Sequence, residues 1–154
     1  MVTWREEAAS SPAAVELLTE YFENRALTFP GGPDRYTTKF PDAAQFVPPR
    51  GVFLVAEVDG ADVGCGGIRE LEPGRFEVKH LYLRPSTRGR GFGRLLLEEL
   101  ERRALDFGGV ELVLDTNDNL AAAGGLYRSS GFATIPPYND NPNATTWYAK
   151  PLAG

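Results

Sequence analysis

The sequence predicts an α/β protein built on one mixed sheet, and three observations carry that expectation. Three largely apolar segments, Val52 to Val58, Val63 to Leu71 and Phe76 to Leu83, follow one another across the turn signals Asp59-Gly60 and Glu72-Pro73-Gly74, the pattern of an antiparallel meander. A glycine-rich turn and a long amphipathic segment then separate the third of these from another apolar segment, Val110 to Leu114. Those two can therefore lie parallel, joined by a right-handed crossover. Third, 154 residues with 42% apolar and 24% charged side chains are the size and composition of one globular domain. Such a chain buries roughly 68–70% of its unfolded surface and needs no metal or disulfide to fold. Residues 1–154 are accordingly read as a single domain.

Each element has its own signal. Val2 to Arg5 reads as a short first strand. Ser11-Pro12 opens a helix, a capping residue followed by proline in the first turn. Val15, Leu17, Leu18, Tyr21 and Phe22 then recur at helical spacing toward an end near Asn24. Phe29 to Arg50, rich in Pro, Gly and Asp, is expected to be loop apart from a short helix near Ala43 to Phe46. Loops of that length inside compact domains are usually functional. The helix from Gly91 to Phe107 turns Gly93, Leu96, Leu97, Leu100, Ala104 and Phe107 to one side, and Glu98, Glu101, Arg102 and Arg103 toward water. Gly108-Gly109 ends it. A second helix covers Leu120 to Ser130, weakened by Gly124-Gly125 and capped by Gly131. Phe132 to Ile135 starts another strand, and Trp147 to Leu152 is the last.

The densest chemical signal is Arg88-Gly89-Arg90-Gly91-Phe92-Gly93, between a strand and a helix. Alternate glycines let the backbone turn tightly and approach a ligand. The first N–H groups of the following helix have no internal partner and carry partial positive charge. Arg84, Arg88, Arg90 and Arg94 crowd the same stretch. Together these features make a site for a phosphate or pyrophosphate. The Rossmann fingerprint fails because Arg94 stands where its third glycine belongs, and a P-loop fails because no Gly-Lys-Ser/Thr follows. The pattern met is R-x-x-G-x-G, at Arg88, Gly91 and Gly93.

A net charge of −5 argues against nucleic acid as the main partner, since backbone binding needs a broad basic face. The lone Cys65 cannot form an internal disulfide and is expected to be a small core residue. No basic segment with an apolar core opens the chain, and no run approaches about 18 apolar residues. A cytoplasmic protein with no membrane partner is expected.

Three motifs follow one another in order: Glu77 to Pro85 (Glu-Val-Lys-His-Leu-Tyr-Leu-Arg-Pro), the glycine turn, and Leu126-Tyr127-Arg-Ser-Ser-Gly131-Phe132. On these motifs the sequence resembles the GNAT superfamily of N-acetyltransferases from Val52 to Phe132. The loop Pro136 to Pro142 followed by Trp147-Tyr-Ala-Lys is similar to a group of small bacterial members. The resemblance implies a mostly antiparallel sheet splayed at its centre, with helices on both faces. It implies acetyl-CoA as co-substrate and no metal, with the pyrophosphate on backbone amides of Gly89, Arg90, Gly91, Phe92, Gly93 and Arg94, and Arg88 beside them. It further implies that the pantetheine arm pairs like an extra strand along Leu81, Tyr82 and Leu83, where the strand ending at Leu83 parts from Val110 to Leu114. Many members carry Asn seven residues before the tyrosine. Here that position is Leu120, and Asn119 beside it is the candidate cofactor contact.

Acetyl transfer needs a neutral amine, a stabilised carbonyl oxygen and a proton for the leaving thiolate. A phenol ionises near pH 10, above a thiol, so Tyr127 can supply that proton. The alternative is a packing tyrosine beside Leu126 and Phe132. Glu77 is the candidate base, acting through water, and strict alternation puts it on one face with Lys79 and Leu81 unless a bulge intervenes. The alternative for Glu77 is a salt-bridged glutamate. His80, the only histidine, titrates in the useful range but is more often structural on a strand. Glu20, Glu23, Asp34, Asp42 and Asp140, with Tyr21, Tyr36 and Tyr138, are candidates to line the acceptor side and favour a cationic amine. The expected function is acetyl transfer to a primary amine of a small molecule or peptide, by a monomer or homodimer. A non-catalytic acyl-CoA-binding module is the alternative.

Overall fold

The computed structural model describes residues 1–152. Seven strands form one sheet in the order β1-β2-β3-β4-β5-β7-β6. They are β1 (Val2–Glu6), β2 (Gly51–Val58), β3 (Ala61–Glu72), β4 (Arg75–Leu83), β5 (Glu111–Thr116), β6 (Ala133–Ile135) and β7 (Thr146–Pro151). The three helices are α1 (Pro12–Thr28), α2 (Phe92–Asp106) and α3 (Ala121–Ser129). Every neighbouring pair is antiparallel except β4 and β5, which run parallel. The meander and the crossover are thus both present. The β2–β3 turn has Asp59 at φ 51° and Gly60 at φ 82°, the pair of left-handed residues that a two-residue hairpin requires.

Two cores lie on opposite faces. Leu96, Leu97, Leu100 and Ala104 of α2 pack with Tyr127 of α3 against Val52, Ile68, Phe76, Val78 and Leu112. Ala14, Leu17, Leu18 and Phe22 of α1 pack against Phe53, Val55, Cys65 and Tyr82. β2 is buried along nearly its whole length, as its continuous apolar run requires of a strand covered on both sides.

Several boundaries differ from the sequence reading. α1 runs one turn past Asn24, because Arg25 and Ala26 are good helix formers. It stops at Phe29, which precedes Pro30 and is extended at ψ 136° as a pre-proline residue prefers. Phe132 and Leu152 fall just outside their strands. Glu101 and Arg103 do not simply face water. Lys150 Nζ lies 2.7 Å from Glu101, and Arg103 pairs with Glu6 and with the buried Glu99.

Two features of β4 open the sheet. β4 pairs with β5 only at Arg75, Phe76 and Glu77, so beyond Glu77 its edge on that side has no strand partner among the described residues. Across β3, Leu83 and Tyr82 face Gly64 and Cys65, whereas Lys79 and Val78 face Gly67 and Ile68. One extra β4 residue therefore lies between Tyr82 and Lys79, a bulge, and His80 there sits at φ 60°. The bulge corrects the alternation. Glu77, Lys79, His80 and Tyr82 face α1, while Leu81 returns to the α2 face beside Val78.

Candidate active site

The site begins where β4 ends. Arg84 is fixed by Glu20, with Nε to Oε1 at 3.0 Å and a second guanidinium nitrogen to Oε2 at 2.7 Å, and it donates a third bond to the Asp62 carbonyl. That bidentate pair ties the entry of the glycine turn to α1 and holds the Glu20 carboxyl below its usual range. Glu20 is thereby removed from the acceptor side. Gly89 and Gly91 both adopt φ near +80°, at 81° and 80°. Gly91 is the residue that caps α2, and the first helical bond runs from Leu95 N–H to its carbonyl. The N–H groups of Phe92, Gly93 and Arg94 consequently have no acceptor within the helix. A Cβ built on Gly89 or Gly91 meets no protein atom within 4 Å, so this surface is open.

The four arginines divide into two pairs. Arg84 is structural, and the Arg94 guanidinium is committed to Ser129 and Ser130 at the end of α3. Arg88 and Arg90 are exposed, lie over the Tyr82 and Phe92 rings at 5.9 and 4.9 Å, and have no acidic partner among the described residues.

On the α1 side the split between β4 and β5 holds a cavity of about 660 Å³. Its wall includes His80 and Leu81 at the bulge, Asp115 and Asn117 on β5 and beyond, and Tyr127 on α3. The loop after α1 and the loop before β7 close over it. They are joined where Asn143 accepts from Thr37 N–H at 3.0 Å and donates to Thr37 O at 2.7 Å. The long loop is therefore a cavity wall. Asn119 also lines the cavity, but its amide donates to the Thr28 carbonyl at 2.7 Å and so ties α3 to the end of α1.

Tyr127 is 6% exposed and packs against Tyr148 and Phe132, with centroids 5.7 and 6.0 Å away. Burial pushes its hydroxyl upward, so it stays protonated through the physiological range. Glu77 is fully buried and is not part of the cavity wall. Arg69 Nε donates to its Oε1 at 2.9 Å and the Tyr138 hydroxyl to its Oε2 at 2.6 Å. With a donor on each oxygen and its side chain off the cavity wall, Glu77 anchors Arg69 and the Tyr138 loop and does not touch the cavity directly.

His80 lines the cavity between the rings of Tyr21, Phe22 and Phe46, and its Nδ1 is buried without a hydrogen-bond partner. Burial, with Lys79 and Arg69 nearby, pulls its pKa down to about 3. The unfolded chain then binds a proton near pH 6.5 that the folded chain refuses, so stability rises with pH and is lost as pH falls below 6.5. Between pH 6 and 5, above the carboxylate range, the expected slope approaches about 1.4 kcal/mol per pH unit. His80→Asn removes the titration and tolerates positive φ. Denaturant unfolding of both proteins at pH 7, 6 and 5 is expected to show a steeper loss in the wild type, and parallel losses would exclude this linkage.

Of the residues expected on the acceptor side, Asp42, Tyr21 and Tyr36 line the cavity, and Glu20, Glu23, Asp34, Asp140 and Tyr138 do not. Composition could not have shown the cations that do line it: Arg25, Lys39, Arg69 and Lys79. Cys65 is a buried core thiol, donating to the His80 carbonyl at 3.5 Å. Among the described residues no group of three His, Cys, Asp or Glu side chains is placed to hold a metal ion, and no helix is long and apolar enough to cross a membrane.

A mostly antiparallel sheet, splayed at its one parallel pair and with a glycine turn at the open edge, is the fold of the acyl-CoA N-acyltransferases. A Klebsiella pneumoniae protein, itself assigned only provisionally to that class, superposes with a TM-score of 0.81 at 27% identity, covering 99% of each chain. A GNAT family acetyltransferase from Elizabethkingia anophelis with acetyl-CoA bound gives a TM-score of 0.68 at 17% identity, covering 98% of each chain. In sequence, an N-acetyltransferase of Schizosaccharomyces pombe, itself uncharacterised, is 39% identical over 108 residues. That match covers 69% of this chain and 66% of the relative, so the chain spans just under two thirds of the relative's length. The acetyltransferase (GNAT) family profile matches residues 12–132, and the chain belongs to that family.

Proposed function

We propose that this chain is a single-domain, acetyl-CoA-dependent N-acetyltransferase that moves the acetyl group directly to the primary amine of a small molecule or peptide. The observation that carries the reading is the junction of two half-sites. The glycine turn and the free N–H groups of α2 stand at one end of the open β4 edge, and the cavity with Tyr127 stands at the other. A ligand with a pyrophosphate at one end and a thioester at the other spans that arrangement. Family membership favours acetyl-CoA as this ligand.

In this reading the pyrophosphate rests on the N–H groups from Gly89 to Arg94, with Arg88 and Arg90 adding charge. The pantetheine arm lies along Leu81 to Leu83 as an extra strand. Tyr127 protonates the departing thiolate as the amine nitrogen bonds to the carbonyl carbon and the carbon–sulfur bond breaks, and the proton that the nitrogen loses returns through water to the Tyr127 phenolate. Glu77 acts as a positioning residue through Arg69 and Tyr138. A cytoplasmic setting suits the co-substrate. Tyr127 on the cavity wall favours an enzyme over a module that only binds acyl-CoA.

The test of the reading is acetyl-CoA-dependent thiol release with an amine present, together with calorimetry of the cofactor. Arg88→Ala and Arg90→Ala are each expected to weaken acetyl-CoA about tenfold, near the lower end of a charge-assisted contact because both side chains are exposed. Acetylated pantetheine, which lacks the pyrophosphate, should lose much less. Equal losses for the two ligands would show that both arginines face only solvent.

A further inference from the structure

The cavity wall carries more cationic charge than its own residues neutralise. Arg69 is paired with Glu77. The two acids on the wall keep their charge but ion-pair with none of these cations: Asp115 accepts from Asn139 and Asn141, and Asp42 from Ala44 N–H. Arg25, Lys39 and Lys79 have no acidic partner among the described residues. Of these, Arg25 is set among aromatic side chains. It projects from the last turns of α1, half-buried, with its guanidinium over the Tyr21 ring at 4.9 Å and with Tyr36 and Tyr127 as its other neighbours. A guanidinium held among aromatic rings without a carboxylate is costly unless a ligand supplies the anion.

The co-substrate does not supply it. Its phosphates belong at the glycine turn, at the far end of the β4 edge, and the thioester that reaches Tyr127 is neutral. The anion must come with the acceptor. We propose that the acceptor is a small amine that also carries a carboxylate, bound with that carboxylate on the guanidinium of Arg25 and with Lys79 as the second cation. This rests on the acetyl-transfer reading of the same cavity. A guanidinium presents a planar fork of donors for bidentate carboxylate recognition, which a lysine cannot match. The arrangement also bears on the base that Glu77 does not provide. Positive charge near the acceptor nitrogen disfavours its ammonium form, so the neutral, attacking amine is reached more easily.

The test uses matched pairs. Initial rates of thiol release from acetyl-CoA are measured for each of the common amino acids and for its α-carboxamide, with spermidine as a polycation. Binding of the same compounds to the CoA-saturated enzyme is measured by calorimetry. The carboxylate member of at least one pair is expected to exceed its carboxamide about tenfold or more in kcat/KM or in affinity. Arg25→Gln should collapse that ratio toward one, and Arg25→Lys should restore part of it. Because the readout is a ratio within one protein, a general loss of activity does not imitate it. Carboxamides or spermidine used as well as the amino acids, or a ratio that survives Arg25→Gln, overturns the proposal and leaves acetyl transfer standing. Failure of acetyl-CoA itself to bind would instead remove the acetyl-transfer reading, and with it this one.

Discussion

Gly91→Val is expected to yield a folded protein that has lost acetyl-CoA binding by about a hundredfold or more. Two physical effects act together. Gly91 sits at φ 80°, where a β-branched side chain is strained, so the turn must either hold that strain or rotate its amides away from their common target. The new side chain would also project into the open space beside the free N–H groups of α2, where no protein atom lies within 4 Å. The protein can therefore accommodate valine, whereas a pyrophosphate drawn onto those amides cannot. The strain alone costs roughly 1–2 kcal/mol, which lowers Tm by about 2–8 °C in a chain of this size. Calorimetry separates the two effects. Affinity unchanged in a variant whose Tm has dropped by that amount would show that the ligand's phosphates lie elsewhere.

The glycine turn was legible because its signals are local. The strand, the glycines and the amphipathic face of α2 lie within one stretch of about thirty residues, and each hairpin turn of the meander is set by two or three adjacent residues. The bulge at His80 was not legible in the same way. It is defined by the register of β4 against β3, and no glycine or proline marks it. Its consequence, moving Leu81 across the sheet from Glu77 and Lys79, could only be named beforehand as a contingency.

The charges were harder to read for the same reason. Glu77 meets Arg69 eight residues away and Tyr138 sixty-one residues away, and Asn143 meets Thr37 across 106 residues. Acidic residues are numerous in the sequence, so an acidic acceptor side was the natural expectation. Folding instead assigns Glu20 to Arg84 and Glu77 to Arg69, and leaves Arg25 among tyrosines. The net charge of the chain thus says little about the sign of the cavity. A helical spacing from Tyr21 to Arg25 was the one available hint, since residues four apart share a helix face.

Tyr127→Phe is expected to lower turnover by about 10²–10⁴-fold, the usual contribution of a positioned acid. The substitution keeps the ring that packs on Tyr148 and Phe132 and removes only the hydroxyl, so Tm and acetyl-CoA affinity should change little. The loss should appear equally in kcat and kcat/KM, because the donated proton stabilises the transition state and not the bound thioester. Burial raises the Tyr127 pKa, which keeps the proton in place across the working pH range. The nearby Arg25 charge opposes that shift and would stabilise the phenolate formed on donation, so the two residues are coupled. In Arg25→Gln the remaining effect of Tyr127→Phe should therefore be smaller than in the wild type. The measurement needs conditions in which chemistry limits the rate, established by single-turnover kinetics. A Tyr127→Phe enzyme within about twofold of wild type under those conditions would make Tyr127 a packing residue, with solvent as the proton source.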